Sequence, residues 1–358
     1  MPKTFSRSNK VKMKEVSTPK VPSSDISGVC ELNPRFFRAG SKIREVTVNY
    51  VLTEGGIGDF ICWLSALEWL ARNHPQIIGR VYCPDFFVEI AANVLQNYPK
   101  WKVQGRKALN ERKLQSRPTY LPFLRPINST GAHLVDLGFI FYANINPPPE
   151  DGWYYTRLDL SKIEGLELPE VPYAVLTPGA TYENRKLPAK AFNGIKNHLI
   201  SRGIVPVFLG KVEVGDKRKI LFGDDYDYSG GVDLREKTTL LQAAAIMSKA
   251  EMVIGLDNGL LHLAAMTDVP IIFGYNIAAP VHRRPRRRTI DGKKPILWEI
   301  HPDPAMLTCT FCQSQMRFMF NHDFKNCLYK DNLCLDALSD EKAWCELVDN
   351  IINKVVPE

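Results

Sequence analysis

The sequence holds no apolar run approaching the roughly 20 residues that cross a bilayer, so no helical membrane anchor is expected. Its first residues, MPKTFSRSNKVKMK, lack the apolar centre and cleavage pattern of a secretory signal. Both absences lead to the expectation of a cytoplasmic protein with at most peripheral membrane contact. A large charge excess is missing too: 46 Lys and Arg stand against 39 Asp and Glu, a formal net charge of +7. That balance suits ligands carrying phosphates and does not by itself demand nucleic acid. With 45% hydrophobic and 24% charged residues, the chain is not composed like a disordered one. At 358 residues it is too long for one ordinary core and fits two domains.

Cysteine is sparse in the first two thirds, where Cys30, Cys62 and Cys83 are scattered. The other five of the 8, Cys309, Cys312, Cys327, Cys334 and Cys345, crowd near the C-terminus. A reducing cytoplasm makes disulfides unexpected. Cys309-x-x-Cys312 with Cys327 and Cys334 supplies four thiols, enough for a tetrahedral structural zinc. The alternative is a loose group of free thiols, since the second pair is spaced too widely for a knuckle.

Residues 1–44 are polar and basic and read as a flexible arm, either a plain tail or a contact for an anionic acceptor. Order is expected from Val46. VTVNYVLT reads as a buried strand, EGGIGD as a turn and FICWLSALEWLARN as a helix. GRVYCPD reads as a second strand and FFVEIAANVLQNY as a second helix. Lys100 to Pro126 reads as basic and irregular, and AHLVDLGFIFYA as a strand. A Pro-rich connection puts the domain boundary near Leu168. A second series follows: strand YAVLT, helix PAKAFNGIKNHLISRG closed by Gly203, strand IVPVFLG and helix TTLLQAAAIMSKA. Strand EMVIGLD, helix LLHLAAMT and strand VPIIFG complete it. SDEKAWCELVDNIINKVV reads as a terminal helix. The fold class expected is α/β, two doubly wound domains facing across a cleft: 45–168, 169–300, then a Cys-containing tail over 301–358.

Ligands of open parallel sheets bind beyond the carboxyl ends of the strands, which singles out particular turns. Gly55-Gly56-Ile57-Gly58-Asp59 opens the first helix. Asp59 reads either as a helix cap or as a carboxylate facing the cleft as a general base. A dinucleotide fingerprint would need Gly or Ala where Ile61 stands, which disfavours a dehydrogenase. Asp257-Asn258-Gly259 precedes a helix whose first turn holds His262, a place suited to a diphosphate or to a plain capped helix. Thr177-Pro178-Gly179-Ala180 followed by Lys186 reads as a phosphate loop or a solvated one. Arg283, Arg284, Arg286, Arg287 and Arg288 follow the last strand, and read as a solvated loop or as a grip on a phosphate-rich ligand. Trp153, Tyr154 and Tyr155 read as core packing or as a platform for a base or sugar.

Taken together, GGIGDFICWLSAL, LTPGATYENRKLP and VIGLDNGLLHLAAM resemble glycosyltransferase family 9, the lipopolysaccharide heptosyltransferases. The likeness runs from about Val46 to Pro285. It implies a GT-B fold with the acceptor on the first domain and an ADP-sugar or related donor on the second. It further implies inversion at the anomeric carbon with no catalytic metal. Asp59 matches the family's catalytic carboxylate. Lys186, Asp257, Asn258, Gly259 and His262 match its donor-phosphate region, with Thr177 and Gly179 beside them and Glu213 as a candidate for the ribose hydroxyls. Gly56, Gly58, Arg283 and Arg284 are candidates for acceptor or phosphate contacts. Departures from the pattern are Ser65-Ala66 where a Pro is usual, Leu187 where a Trp is usual, and the basic run. A surface glycan is the expected acceptor. The alternatives are a viral enzyme that glycosylates hydroxylated DNA bases and a nucleotide-sugar-binding protein without turnover.

Overall fold

A computed structural model describes residues 45–52, 56–109, 119–121, 133–139, 148, 153–166, 168–211, 213–214, 218–220, 222–288, 295–314, 327, 329 and 331–354. The basic arm expected at 1–44 and Gly55 of the first turn lie outside them.

The first series is β1 (Val46–Leu52), α1 (Ile57–Asn73), β2 (Ile77–Cys83), α2 (Val88–Leu95), β3 (Lys102–Gly105), β4 (Thr119–Leu121) and α3 (Leu134–Gly138). Its strands form a four-stranded parallel sheet in the order β3-β2-β1-β4 among the described residues. β1 and β2 run in register from Val46 opposite Ile77 to Val51 opposite Tyr82. Parallel pairing needs a crossover, and α1 supplies it.

The second series begins with β5 (Tyr173–Thr177), α4 (Ala189–Ser201), β6 (Val205–Phe208), β7 (Glu213–Val214), β8 (Arg218–Lys219) and β9 (Val232–Asp233). It continues with α5 (Leu240–Ser248), β10 (Met252–Leu256), α6 (Gly259–Ala264), β11 (Ile271–Gly274), α7 (Pro280–Arg283) and β12 (Leu297–Ile300). A six-stranded sheet runs β12-β11-β10-β5-β6-β9, and β7 and β8 make a separate antiparallel pair. β5, β10 and β11 are buried along their whole length, as strands covered on both faces must be. α8 (Leu333–Ala337) and α9 (Glu341–Ile352) close the chain. α9 starts at Asp340, whose carboxylate accepts the Lys342 N–H, and packs on α4. Trp344 of α9 is fully buried, and Asp349 accepts from His198 at 2.9 Å and from Arg202 at 2.7 Å.

Two expectations change. AHLVDLG was expected as a strand, but Leu134–Gly138 is a short helix. Local capping decides it: the Val135 N–H donates to His133 Nδ1, and the His133 N–H donates to Asp136. The stretch from Lys100 to Pro126 was expected to be irregular, yet it contributes the two edge strands β3 and β4. Alternation is short there, and register with β2 and β1 supplies the order.

α1 positions the site. It is buried without a break from Phe60 to Ala71, because α2, α3 and α6 pack against it in addition to its own sheet. An ordinary surface helix keeps a polar face. Here that face is taken by α6 of the second sheet, so α1 joins the two series in one apolar core.

Candidate functional site

The turn entering α1 and the turn entering α6 meet directly. Gly58 faces the His262 ring, where an added Cβ would stand 2.7 Å from His262 Cδ2. Gly259 faces Ile57 in the same way, its added Cβ 2.5 Å from Ile57 Cβ. Only a residue without a side chain fits at either point of approach.

Asp59 is in the first turn of α1, with Gly56 as the cap residue. Its two oxygens have separate duties. Oδ2 accepts the Gly56 N–H at 3.0 Å, which closes the turn. Oδ1 lies 3.3 Å from Arg283 Nη1, which reaches it from α7 on the other sheet. One side chain therefore both closes the turn behind Gly56 and faces the second sheet.

Asp257 follows β10 and is buried beside Arg185 and His262. Its Oδ2 lies 3.0 Å from Arg185 Nη2, and its Oδ1 lies 3.4 Å from His262 Nε2. Burial by itself would raise its pKa, but Arg185, the His262 hydrogen bond and Arg283 together hold the carboxyl well below the usual range. Arg283 loses solvation too, and the charges of Asp257 and Asp59 keep it firmly protonated. Carboxylates and guanidiniums thus alternate through the site: Asp59, Arg283, Asp257, Arg185.

A hydrogen-bonded chain runs beside it. Tyr155 is buried, and its pKa is driven far above the ordinary value by burial, so its hydroxyl stays protonated. The hydroxyl lies 2.8 Å from His262 Nδ1 and 3.2 Å from Cys62 Sγ. Burial pushes the Cys62 thiol up to about 12, so it also keeps its proton. One proton arrangement satisfies every member: Cys62 donates to Tyr155, Tyr155 to His262 Nδ1, and His262 Nε2–H to Asp257. The chain links α1, the segment between the sheets, and α6.

The remaining candidates fall in several places. Asn258 caps α6, its Oδ1 accepting from the N–H groups of Leu260 and Leu261 at 2.9 and 3.1 Å. Its Nδ2 donates to the Thr177 carbonyl at 2.7 Å, which ties the β5 and β10 loops together. Gly179 lies under Ile220 and Phe222. Lys186 reaches Glu183 at 2.6 Å rather than the β10–α6 turn. Glu213 begins β7, and its side chain lies outside what is described. His262 was expected to offer a proton to a phosphate, but both ring nitrogens face buried protein partners.

The basic run divides: Arg283, Arg286 and Arg287 turn inward, whereas Arg284 and Arg288 stay exposed. Arg283 reaches Asp59, and Arg284 forks onto Glu299 with Nε 2.8 Å from Oε1. Arg286 stacks 4.3 Å from the Trp153 ring centroid and lies 3.8 Å from Asp136. Arg287 donates to the carbonyls of Ile296 at 3.0 Å, Thr267 at 2.6 Å and Val269 at 2.7 Å. Internal acceptors hold each of these four side chains. Arg287→Met is expected to cost about 2 kcal/mol or more in urea unfolding, because it takes the donor from the buried Thr267 and Val269 carbonyls, while Ile296 keeps the Ile271 N–H at 3.1 Å. Unchanged stability would show that water reaches them. Trp153 and Tyr155 are buried, so the aromatic cluster is packing and not a platform for a ligand.

The four tail cysteines lie close enough for their charges to act on one another. Burial first and then its neighbours push Cys312 up to about 11 and Cys334 up to about 12. Among the described residues no three potential ligands gather as a metal site. The chain joining Cys312 to Cys334 lies largely outside the described residues.

Sequence reasoning overlooked Arg185 and Cys62. Arg185 stands next to Lys186, and nothing in the order of two basic residues tells which turns inward. A turn of 3-10 helix at Glu183–Arg185 makes that choice.

Residues 139–293 match the family model described as glycosyltransferase family 9 (heptosyltransferase). No curated protein matches the sequence. Among solved structures, the fold is similar to that of the dodecameric iron-containing heptosyltransferase TibC in complex with ADP-D-beta-D-heptose. That comparison has a TM-score of 0.66 and 14% identity over 89% of this chain and 81% of that one. TibC from enterotoxigenic E. coli in a second structure gives a TM-score of 0.63 at 15% identity over 88% and 77%. The ADP-heptose lipopolysaccharide heptosyltransferase II of E. coli gives 0.51 at 15% identity over 85% of this chain and 99% of that one.

Proposed function

We propose, from the premise that residues 139–293 carry a glycosyltransferase family 9 domain within a GT-B fold, that this chain is an inverting transferase using a nucleoside diphosphate sugar. An ADP-heptose-like donor is the form favoured, and the acceptor is a hydroxyl of lipopolysaccharide or another surface glycan. The observation that carries this reading is the meeting of Asp59 and the β10–α6 turn at one junction of two parallel sheets. Ligands of such sheets lie beyond the strand ends, and here both sets of ends face one another.

The chemistry assigns the parts. An acceptor oxygen attacks the anomeric carbon, and Asp59 takes its proton. The bond from that carbon to the diphosphate oxygen breaks, and its electron pair leaves with the diphosphate. Cations beside the leaving group stabilise the transition state more than the ground state, because charge develops there. Thr177, Gly179, Asn258, Gly259 and Lys186 line the donor side in this proposal, with Glu213 toward the ribose. Gly56, Gly58 and Arg283 line the acceptor side. The scheme asks for no metal at the reacting centre, and any metal held by the four tail thiols would tie the tail together without entering the transfer.

DNA as acceptor has less support, since Arg283, Arg284, Arg286 and Arg287 are spent on internal acceptors. A binder without turnover would use Asp59 only to close its turn and pair with Arg283, so transfer by the wild type that Asp59→Asn loses separates the two readings. The reading is tested by melting the protein with ADP, UDP, GDP and their sugars. A nucleotide at a hundred times its Kd adds about 2.7 kcal/mol of stability, which gives a clear, saturable rise in Tm. Adenine forms are expected to give the largest rise, and no rise with any member of the panel would contradict the reading.

A further inference from the structure

Asp59 is gripped from both halves of the molecule. Its Oδ2 accepts the Gly56 N–H of its own turn at 3.0 Å, and its Oδ1 faces Arg283 Nη1 at 3.3 Å from the second half. A carboxylate held at one oxygen still turns about its Cβ–Cγ bond. Held at both, its plane is fixed, and each oxygen keeps a lone pair for an incoming hydroxyl. With 13% of the Arg283 side chain and 17% of the Asp59 side chain exposed, little salt or water screens the pair.

Arg283 differs from its neighbours in what it serves. Arg284 forks onto Glu299 and Arg287 meets three carbonyls, all in the second half. Arg283 makes one hydrogen bond among the described residues, and that bond crosses to Asp59. Its charge also acts on Asp257, so one guanidinium serves a carboxylate from each half.

The backbone that delivers it is tied down on both sides of α7. Before the helix, the Asn276 carbonyl accepts the Phe311 N–H at 2.8 Å and the Ile277 carbonyl accepts the Gln313 N–H at 2.7 Å. The Ala279 N–H donates to Ser314 Oγ at 2.8 Å. After the helix, His133 Nε2–H donates to the Arg284 carbonyl at 2.9 Å. A side chain carried on so fixed an element can orient a reacting group closely.

We propose that Arg283 is the positioning residue of the base: it reaches across the junction and fixes the Asp59 carboxylate when the two halves close. This rests on the reading of Asp59 as the base, and adds how the second half completes it. Arg283 then acts through Asp59 and holds no donor phosphate. Closure and readiness for proton transfer become one event, because the second grip forms only when the halves meet.

The test follows ADP release from ADP-heptose in the presence of core oligosaccharide, with calorimetric titration of ADP alongside. Arg283→Met should lower kcat about tenfold to a hundredfold, the cost of a reacting group misplaced by up to about 1 Å. Donor KM and ADP affinity should stay at their wild-type values. Arg283→Lys should recover most of the loss, since the contact needs one donor nitrogen and not a fork. In an Asp59→Asn background, Arg283→Met should cost nothing further, because the group it positions is gone. An arginine of purely structural use would slow both backgrounds alike, which overturns the inference. A fall in ADP affinity would make Arg283 a phosphate ligand, and a faster Arg283→Met would make the pair a block on the base; either also overturns it. Wild-type turnover by Arg283→Met beside a slow Asp59→Asn sinks this inference and leaves the base reading standing. Wild-type turnover by Asp59→Asn, or no ADP release by the wild type, sinks both.

Discussion

Asp59→Asn is expected to lower the rate of sugar transfer from a nucleotide sugar by about two to four orders of magnitude, the usual contribution of a general base. Donor affinity should hardly change. Asparagine keeps an oxygen able to accept the Gly56 N–H, which in the native protein donates to Asp59 Oδ2 at 3.0 Å. It cannot take a proton from an incoming hydroxyl. The two duties of Asp59 separate in magnitude. Loss of a cap costs about 1 kcal/mol of stability and leaves turnover alone, whereas loss of the base leaves stability largely alone and removes turnover. One oxygen cannot serve both partners: with the Gly56 N–H contact kept, the amide nitrogen faces Arg283 Nη1 and that pair is lost, a stability cost that denaturant unfolding reads separately from turnover. Initial rates with a core oligosaccharide acceptor, paired with donor titration, read both quantities. A variant that transfers at the wild-type rate would leave Asp59 as a cap only.

Gly58→Val is expected to have the second-largest effect. Its Cβ would stand 2.7 Å from His262 Cδ2, a distance that side-chain carbons do not tolerate. The His262 ring has little freedom to yield, since Tyr155 and Asp257 hold its two nitrogens and Phe273 packs edge-on with centroids 5.5 Å apart. The helices α1 and α6 must then part. Overpacking of this kind costs about 1–3 kcal/mol. Parting also carries Asp59 away from the donor side, and a displacement near 1 Å costs about a hundredfold in rate. Denaturant unfolding and transfer rates should fall together. A variant with native stability and native rate would mean that α1 and α6 do not meet in the working enzyme.

Much of this arrangement was legible in the sequence. VTVNYVL alternates and is β-branched, and MVIGL is a continuous apolar run; the first became a strand buried from Asn49 to Leu52 and the second a strand buried throughout. The glycines at 58 and 259 marked the two turns correctly, though as sites for ligand approach. The structure uses them first for approach between helices. Long-range pairing was not legible. No pattern within HRRPRRR tells that Arg283 will find Asp59 from 224 positions away, or that Arg287 will be buried against three carbonyls. The run reads as solvent-exposed because charge usually is, and burial became affordable only where the fold supplied acceptors for each guanidinium. HLVDLG misled for a local reason: alternating apolar residues suggested a strand, while His133 and Asp136 cap a helix.

The central claim is that the two turns form a single donor-transfer site. Amide hydrogen exchange on the Asp59→Asn protein, with and without ADP-heptose, tests it most directly, since that variant is expected to bind donor without consuming it. Slower exchange is expected together in the first turn of α1, in the segment from Asp257 to Leu263, and around Thr177 to Lys186. Protection confined to one of the two sheets, or donor bound with neither turn affected, would contradict it.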